Sequence, residues 1–301
     1  MEAFHNDNAI KNKYLARVKA HAKADEIVKG QYWQNGKGCA VGCTIHGHAH
    51  KDYETELGIP RIIARLEDRI FECLPNEEAK KFPLQFLEAI PVGADLSGIW
   101  PQFAIWLLVD ETWGVVNYAK TERSKQAIAK IAELYQRQLA GQEIALTVWR
   151  GAKSAAAAAA DADADASDYI YSASSAASDA AVAAAAVAAS AYSTVDAAAY
   201  AASDAAAAAA YFAVDDAAYS TVDDAYADAA ASAYSTVDAY ADAAAAAAAD
   251  AAYAASSAAY SAAYSADDDA AVDAADAARS LARSQVRMVQ RDKLLELLRS
   301  A

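Results

Sequence analysis

The stretch TERSKQAIAKIAELYQRQLA, residues 121–140, carries the clearest fold signal in this chain. Its apolar positions recur at spacings of three and four: Ile128, Ile131, Tyr135 and Leu139. This period places them on one face of an α-helix. Thr121 or Ser124 can cap the start of that helix, and Gly141 can stop it.

Further helices are predicted on the N-terminal side of this segment. Residues 7–29 have a helical apolar stripe, with Asp7 or Asn8 as the cap. Residues 60–74 begin with a proline where a first-turn proline belongs and continue at helical spacing. Residues 99–116 are apolar almost all round, as in a buried central helix. The sequence therefore predicts a globular helical domain over residues 1–150.

Composition changes abruptly near Gly151. All 11 glycines and all 5 prolines lie at or before that residue. Residues 1–150 balance 19 basic against 19 acidic side chains, whereas residues 151–278 carry 20 Asp against one Lys. Residues 279–301 reverse the sign, with a net charge of +4. We therefore predict three regions: residues 1–150, an Ala/Asp/Ser/Tyr-rich repeat region 151–278, and a basic C-terminal helix 279–301.

Alanine favours helix throughout the repeat region, and no Gly or Pro interrupts residues 152–278. The pattern Tyr-Ser-Thr-Val-Asp begins at Tyr192, Tyr219 and Tyr234, and its Ser and Asp form a capping-box pattern. Several helices joined by tight turns are therefore expected. The predicted fold class is mainly all-α, a globular helical domain followed by an alanine-rich multi-helix array or bundle.

The C-terminal helix has a basic face. Its arginines recur every four residues, at Arg279, Arg283, Arg287 and Arg291. Such a helix either caps the repeat region, with its arginines on the aspartates, or serves as a dimer or partner helix. The second interpretation allows a homo-oligomer.

The charge distribution and the first residues indicate which binding partners and which cellular compartment to expect. The acidic tail argues against direct nucleic-acid binding through it and against binding an anionic membrane. Aspartate recurs too often in the tail for a membrane span. The first residues have no apolar signal segment, and three cysteines make an odd count. We expect a soluble cytoplasmic protein.

Residues 30–50, GQYWQNGKGCAVGCTIHGHAH, are predicted to form an irregular loop in which reactive side chains converge. Thiolates and imidazoles suit zinc, and the candidate zinc ligands are Cys39, Cys43, His46, His48 and His50. Paired C-x2-C motifs are absent, and a glycine-rich loop with core cysteines and solvated histidines is the alternative. A Cys–His nucleophile pair would lack a third, orienting residue.

The same loop can be interpreted as an anion-binding nest. Consecutive backbone N–H groups and one ammonium could face a phosphate, and aromatic rings could stack on a base. The candidate ligand-binding residues are Trp33, Gly36, Lys37, Gly38, Gly42 and Tyr53. The glycine spacing matches neither the P-loop nor the dinucleotide-binding fingerprint.

Four blocks, KGQYWQNGKGCAVGCTIHGHAH, YETELGIP, LEDRIFECLPNE and FPLQFLEAIPVGADL, resemble an uncharacterised family of bacterial and phage-derived genomes. Members join such a block to alanine-rich C-terminal repeats. The resemblance covers about residues 5–150 by motif and the tail by composition, although the family's repeats carry Arg, Trp and Tyr where this tail carries Asp. It implies no activity and no catalytic residue, and a phage association would suggest counter-defence.

Three functions are compatible with these patterns. The leading hypothesis is a non-enzymatic binding or sequestering protein whose loop captures a small anionic ligand or a protein partner and whose tail is a scaffold. The second is a zinc-binding module or a metal-dependent enzyme that uses the Cys/His cluster. The third is an acidic nucleic-acid mimic acting through the Asp-rich tail.

Overall fold

A computed structural model describes residues 1–119, 121–163 and 268–301. These residues are mainly helical, with one two-stranded sheet, which confirms the predicted mainly all-α class. The repeat region's capping-box motifs lie outside the described residues.

Ten α-helices, two short 3₁₀ segments and one hairpin make up the described part of the chain. The helices are α1 (Asn8–Lys23), α2 (Ala40–Ile45), α3 (Asp52–Leu57), α4 (Arg61–Cys73), α5 (Asn76–Ala79), α6 (Phe82–Ala89), α7 (Ile99–Val109), α8 (Glu122–Leu139), α9 (Leu146–Asp163) and α10 (Asp268–Arg299). The strands are β1 (Trp33–Gln34) and β2 (Lys37–Gly38), and the 3₁₀ segments are Ala3–Asn6 and Val115–Tyr118.

The predicted caps of α1 and α8 are confirmed. Asp7 accepts the N–H of Ala9 at 2.7 Å. Thr121 accepts the N–H of Ser124 at 3.2 Å. Each side-chain oxygen satisfies a first-turn donor that the helix leaves without an internal acceptor.

Helix α7 is shorter than the predicted helix over residues 99–116 and ends at Val109. Most of its side chains are buried, but Gln102 is exposed and Ile105 and Trp106 are half-buried. It packs against α8, and Trp100 Nε1 donates to the Tyr135 hydroxyl at 3.0 Å. Leu139, which the stripe of α8 also includes, is 42% exposed. The apolar face of α8 therefore ends one turn before the helix does.

The predicted helix over residues 7–29 is shorter in the structure. It ends at Lys23, because Asp25 has a φ of 54° and turns the chain before Gly30. The predicted irregular loop over residues 30–50 contains the β1–β2 hairpin and α2. The hairpin turn is Asn35-Gly36, and both residues have positive φ, which this tight turn requires.

Helix α10 joins the core of the N-terminal region. Its apolar residues Val286, Leu294, Leu295, Leu297 and Leu298 are buried, and it packs on α4, α6 and α7. Arg291 pairs with Glu78 of the α5 turn, within the N-terminal region. The end of the chain therefore completes the core built by residues 1–159.

Among the helices of residues 1–163 and 268–301, none combines the length and the apolar character that crossing a membrane would require.

Candidate functional site

The hairpin brings the candidate loop against the segment that follows α1. Gly38 donates its N–H to Glu26 O at 3.1 Å, and Val28 donates to Gly38 O at 2.8 Å. Cys39, the next residue, donates its N–H to Gln31 O at 2.7 Å. These backbone bonds fix Cys39 at the start of α2.

Close backbone packing accounts for Gly42. A Cβ on Gly42 would lie 1.3 Å from the carbonyl oxygen of Tyr32, and one on Gly38 would lie 1.9 Å from the same atom. Only a residue without a side chain allows α2 to approach the hairpin so closely. Two glycines of the predicted anion nest therefore have a packing role.

Helix α4 supplies an acidic face that turns toward α2. Asp68 and Glu72 are one helical turn apart, so their side chains are neighbours on that face. Asp68 is buried and Glu72 is half-buried. The two carboxyl groups project toward Cys39.

Cys39, Asp68 and Glu72 form a three-residue cluster, which we call the Cys39 cluster. The Sγ atom and one oxygen of each carboxyl group all lie within 4.8 Å of one another. Within the described residues, no other group of three or more His, Cys, Asp or Glu side chains meets this spacing. The set combines the thiolate and carboxylate ligands that zinc accepts.

Neighbouring groups hold the two carboxyl groups in place. His50 Nε2 donates to Asp68 Oδ2 at 3.0 Å, and the Tyr32 hydroxyl donates to the same oxygen at 3.3 Å. The N–H of Gly30 donates to both oxygens of Glu72, at 3.1 and 2.9 Å. Metal-binding carboxylates are commonly oriented by such outer contacts.

The surroundings of the Cys39 cluster disfavour the negatively charged forms of its own side chains. Burial raises the pKa of the Cys39 thiol, and the carboxylate of Asp68 raises it further. Burial also raises the pKa of Glu72; Asp68 adds to that rise, and the N–H of Gly30 opposes it. A cation at the centre would relieve both effects.

A second buried contact lies beside this cluster. The Tyr53 hydroxyl donates to Glu67 Oε2 at 2.8 Å, and both side chains are fully buried. Burial raises the pKa of Glu67 well above its ordinary value, which favours the neutral acid. Tyr53, a predicted ligand-binding residue, therefore lies in the interior.

The other predicted zinc ligands lie in different surroundings. The Cys43 thiol donates to Gly38 O at 3.2 Å, and burial raises its pKa to about 12. His48 is exposed, and so is His46, which caps the C-terminal end of α2. Of the five candidates, Cys39 lies in the cluster and His50 contacts it through Asp68.

His46 belongs to a separate aromatic group at the surface. Its ring stacks on Trp33 with centroids 4.2 Å apart, and its Nε2 lies 2.8 Å from Nε2 of His21. His21 in turn binds Glu26 through Nδ1 at 2.7 Å. We call Glu26, His21, His46 and Trp33 the imidazole pair group.

The structure places the predicted anion-binding residues in different surroundings. Lys37 is exposed on the hairpin, and Gly36 occupies the turn. The N–H groups of Gly38 and Cys39 already bond to backbone carbonyls. Trp33 remains half-buried at the surface, next to Tyr32, which is 43% exposed.

Sequence reasoning missed Asp68 and Glu72. Both lie in the stretch LEDRIFE, whose apolar positions indicate only an amphipathic helix. One available signal was the pair of acids four residues apart, which shares a face of the helix. Their meeting with Cys39 depends on how α2 packs on α4.

A cavity of about 190 Å³ lies elsewhere, between α4, α7 and α8. Apolar and aromatic side chains such as Ile62, Leu96, Trp100 and Tyr135 line it. None of the candidate loop residues contributes to its wall.

Comparison with known proteins found no match: no family model, no curated protein and no solved structure matches the chain.

Proposed function

We propose that this chain is a zinc-binding protein whose ion is held by Cys39, Asp68 and Glu72. The observation that carries the proposal is the approach of one thiol and two carboxyl groups within 4.8 Å of one another. Ligands of a tetrahedral zinc ion lie about 3.3–3.5 Å apart, given bond lengths of about 2.0 Å to oxygen and 2.3 Å to sulfur. Shortening these interatomic distances by up to about 1.5 Å would reach that spacing.

The charges of the cluster support a divalent cation. Three anionic ligands would leave a net charge of −1 with the ion bound, and Lys29 and Arg69 exert a positive potential on Glu72. Before binding, burial keeps the Cys39 thiol protonated. Zinc would displace that proton, as metals do when they bind thiols.

Such an ion would link the start of α2 to helix α4. Cys39 follows the hairpin, whereas Asp68 and Glu72 belong to α4. Three protein ligands leave a fourth position for water or another ligand. Tyr32 is 43% exposed and Glu72 is half-buried, which supports a fourth position near solvent.

Native mass spectrometry of the full chain, purified without chelator, tests the proposal. We expect one zinc per chain in the wild type and none in Cys39→Ser. Cys43→Ser is the matched control, because a serine hydroxyl can still donate to Gly38 O. Zinc retained in Cys39→Ser, or absent from the wild type after zinc is supplied, would sink the proposal.

Capture of a small anionic ligand or a protein partner by the loop is the second candidate function. The exposed Lys37, the half-buried Trp33 and the 43% exposed Tyr32 support it. The bonded N–H groups of Gly38 and Cys39 make the zinc proposal the stronger one. Equal binding of a detected ligand by wild type, Lys37→Ala and Trp33→Ala would exclude this face.

Nucleic-acid mimicry by the Asp-rich tail is a third proposal, resting on the charge of residues 151–278. Most of that region lies outside the described residues. Competition of the full chain with DNA for a host protein, abolished by salt, is the expected result.

A further inference from the structure

The cavity between α4, α7 and α8 has an apolar and aromatic interior. Four of the side chains that line it, Ile62, Leu96, Trp100 and Tyr135, are buried. Met1 also lines the cavity and is exposed, so solvent reaches one side of it. A small molecule can therefore enter from that side and contact buried apolar surface.

The volume of the cavity sets the size of the molecule that it can hold. An apolar protein cavity of about 150 Å³ binds benzene, a single carbon ring. By the same proportion, the cavity of about 190 Å³ holds a single ring with about two further heavy atoms.

The aromatic side chains of the wall suit a ring. Trp100 and Tyr135 meet edge to face, with an interplanar angle of 83° and centroids 6.4 Å apart. Trp100 Nε1 donates to the Tyr135 hydroxyl at 3.0 Å, which fixes the two side chains relative to one another. A ligand ring can then stack against one of them and meet the other with its edge, the arrangements that aromatic pairs prefer.

Gln138 adds a polar requirement to the same wall. Its side chain lines the cavity one helical turn beyond Tyr135, on the same face of α8. Its Oε1 atom is buried and accepts no hydrogen bond from any residue that the structure describes. A buried oxygen without a donor is costly, and a ligand that donates to it would remove that cost. The last torsion of a glutamine side chain is broad, so the amide can turn its oxygen toward such a donor.

The two carboxyl groups of the wall already have donors. Glu54 accepts the N–H of Arg61 at 3.0 Å, and the guanidinium of Arg61 counters its charge at 3.4 Å. Asp95 accepts the N–H of Ser97 at 3.0 Å. Among the lining residues, Gln138 alone has a buried oxygen that lacks a donor within the described chain. These partners favour a neutral ligand with one donor over a cation.

From these features we propose that the cavity binds a small neutral aromatic molecule of the phenol class, whose hydroxyl donates to Gln138 Oε1. The ring would lie beside Trp100 and Tyr135, and the hydroxyl would point toward α8. None of the three proposed zinc ligands lines the cavity, so the site is independent of the proposed zinc function.

Fluorine NMR of the full chain with two matched probes tests the site. Para-fluorophenol carries the donor, whereas para-fluorotoluene has a methyl group in place of the hydroxyl and the same ring. We expect saturable binding of para-fluorophenol by the wild type. In Gln138→Met its affinity should fall about 10-fold relative to that of para-fluorotoluene, because only the phenol loses a hydrogen bond. Gln136→Met, at an exposed position two residues away, is the matched control and should bind both probes like the wild type.

A second variant locates the probes even where Gln138→Met does not fold. Ile62→Phe places a larger side chain in the cavity wall and leaves Gln138 unchanged, so it should abolish binding of both probes. Unchanged binding in Ile62→Phe would overturn the proposal, as would an equal change for the two probes in Gln138→Met. Absence of saturable para-fluorophenol binding by the wild type would overturn it too.

Discussion

His50 Nε2 lies 3.0 Å from Asp68 Oδ2 in the interior, where each side chain is only 8% exposed. The contact joins the end of the candidate loop to the acidic face of α4. It orients Asp68 toward Cys39 from one side, while Tyr32 contacts the same carboxyl oxygen. A residue that the sequence offered as a zinc ligand thus acts on a carboxylate that would bind the ion.

Replacing His50 should weaken zinc binding without abolishing it. In His50→Ala, Asp68 loses an orienting donor, and we expect zinc affinity to fall about 10–100-fold while one ion per chain still binds at saturation. Competition with a chromophoric chelator measures the change. His48→Ala, an exposed histidine, is the control, and an equal effect there would contradict this role for His50.

Zinc binding should release protons and strengthen as the pH rises. Burial, with the Asp68 charge, raises the pKa of the Cys39 thiol above its ordinary value, so the free thiol is protonated near neutral pH. Zinc binds the thiolate form of Cys39, so the affinity for zinc should rise about tenfold per pH unit for each proton released. Calorimetry in buffers of different ionisation enthalpy counts the protons. A heat independent of the buffer would show that no thiol ligates the ion.

Glu67→Gln should change how stability depends on pH. Burial raises the pKa of Glu67 in the folded protein, so the folded state binds a proton that the unfolded state loses near pH 4–5. Above the unfolded pKa, the free energy of unfolding of the wild type should therefore fall, by up to about 1.4 kcal/mol per pH unit, until the folded pKa is reached. The amide of the variant carries no such proton. Urea titrations at several pH values should therefore show that the variant's free energy of unfolding rises relative to that of the wild type as the pH increases. Parallel curves would mean that Glu67 ionises normally.

Gly42→Ala should destabilise the protein even though Gly42 lies in a helix. The added methyl would meet the carbonyl oxygen of Tyr32 at 1.3 Å, and moving the backbone apart should cost about 1–3 kcal/mol or more. Gly151 is also helical, and a Cβ there meets nothing within 4 Å. Gly151→Ala should therefore stabilise by about 0.5–1 kcal/mol. Denaturant unfolding of both variants checks the contrast, and equal shifts would refute it.

Leu298→Ala should lower the free energy of unfolding as much as the truncation of a buried side chain in the N-terminal core. Leu298 is fully buried where α10 packs on the N-terminal helices. We expect a loss of about 2–5 kcal/mol in the free energy of unfolding. Leu139→Ala, at a position that is 42% exposed, provides the matched control and should lose much less. Similar losses in the two variants would show that α10 does not complete this core.

Helical segments and their caps were predictable because they are encoded over a few residues. The spacing in residues 121–140 and the cap at Thr121 need no distant partner, and the structure has both. The hairpin was missed, although Asn35-Gly36 is a strong local turn signal. Its strands have two residues each, too few to show an alternating pattern.

The helical class, the helix caps and the separation of charge between residues 1–150 and 151–278 could all be inferred from the order of the amino acids. The approach of Cys39 to Asp68 and Glu72, and of His46 to His21, follows from the three-dimensional packing of distant segments. Periodicity and caps report the preferences of neighbouring residues, whereas these meetings depend on α2 packing between the hairpin, α1 and α4. That packing depends on Gly38 and Gly42 having no side chains, a requirement that the loop composition alone does not reveal.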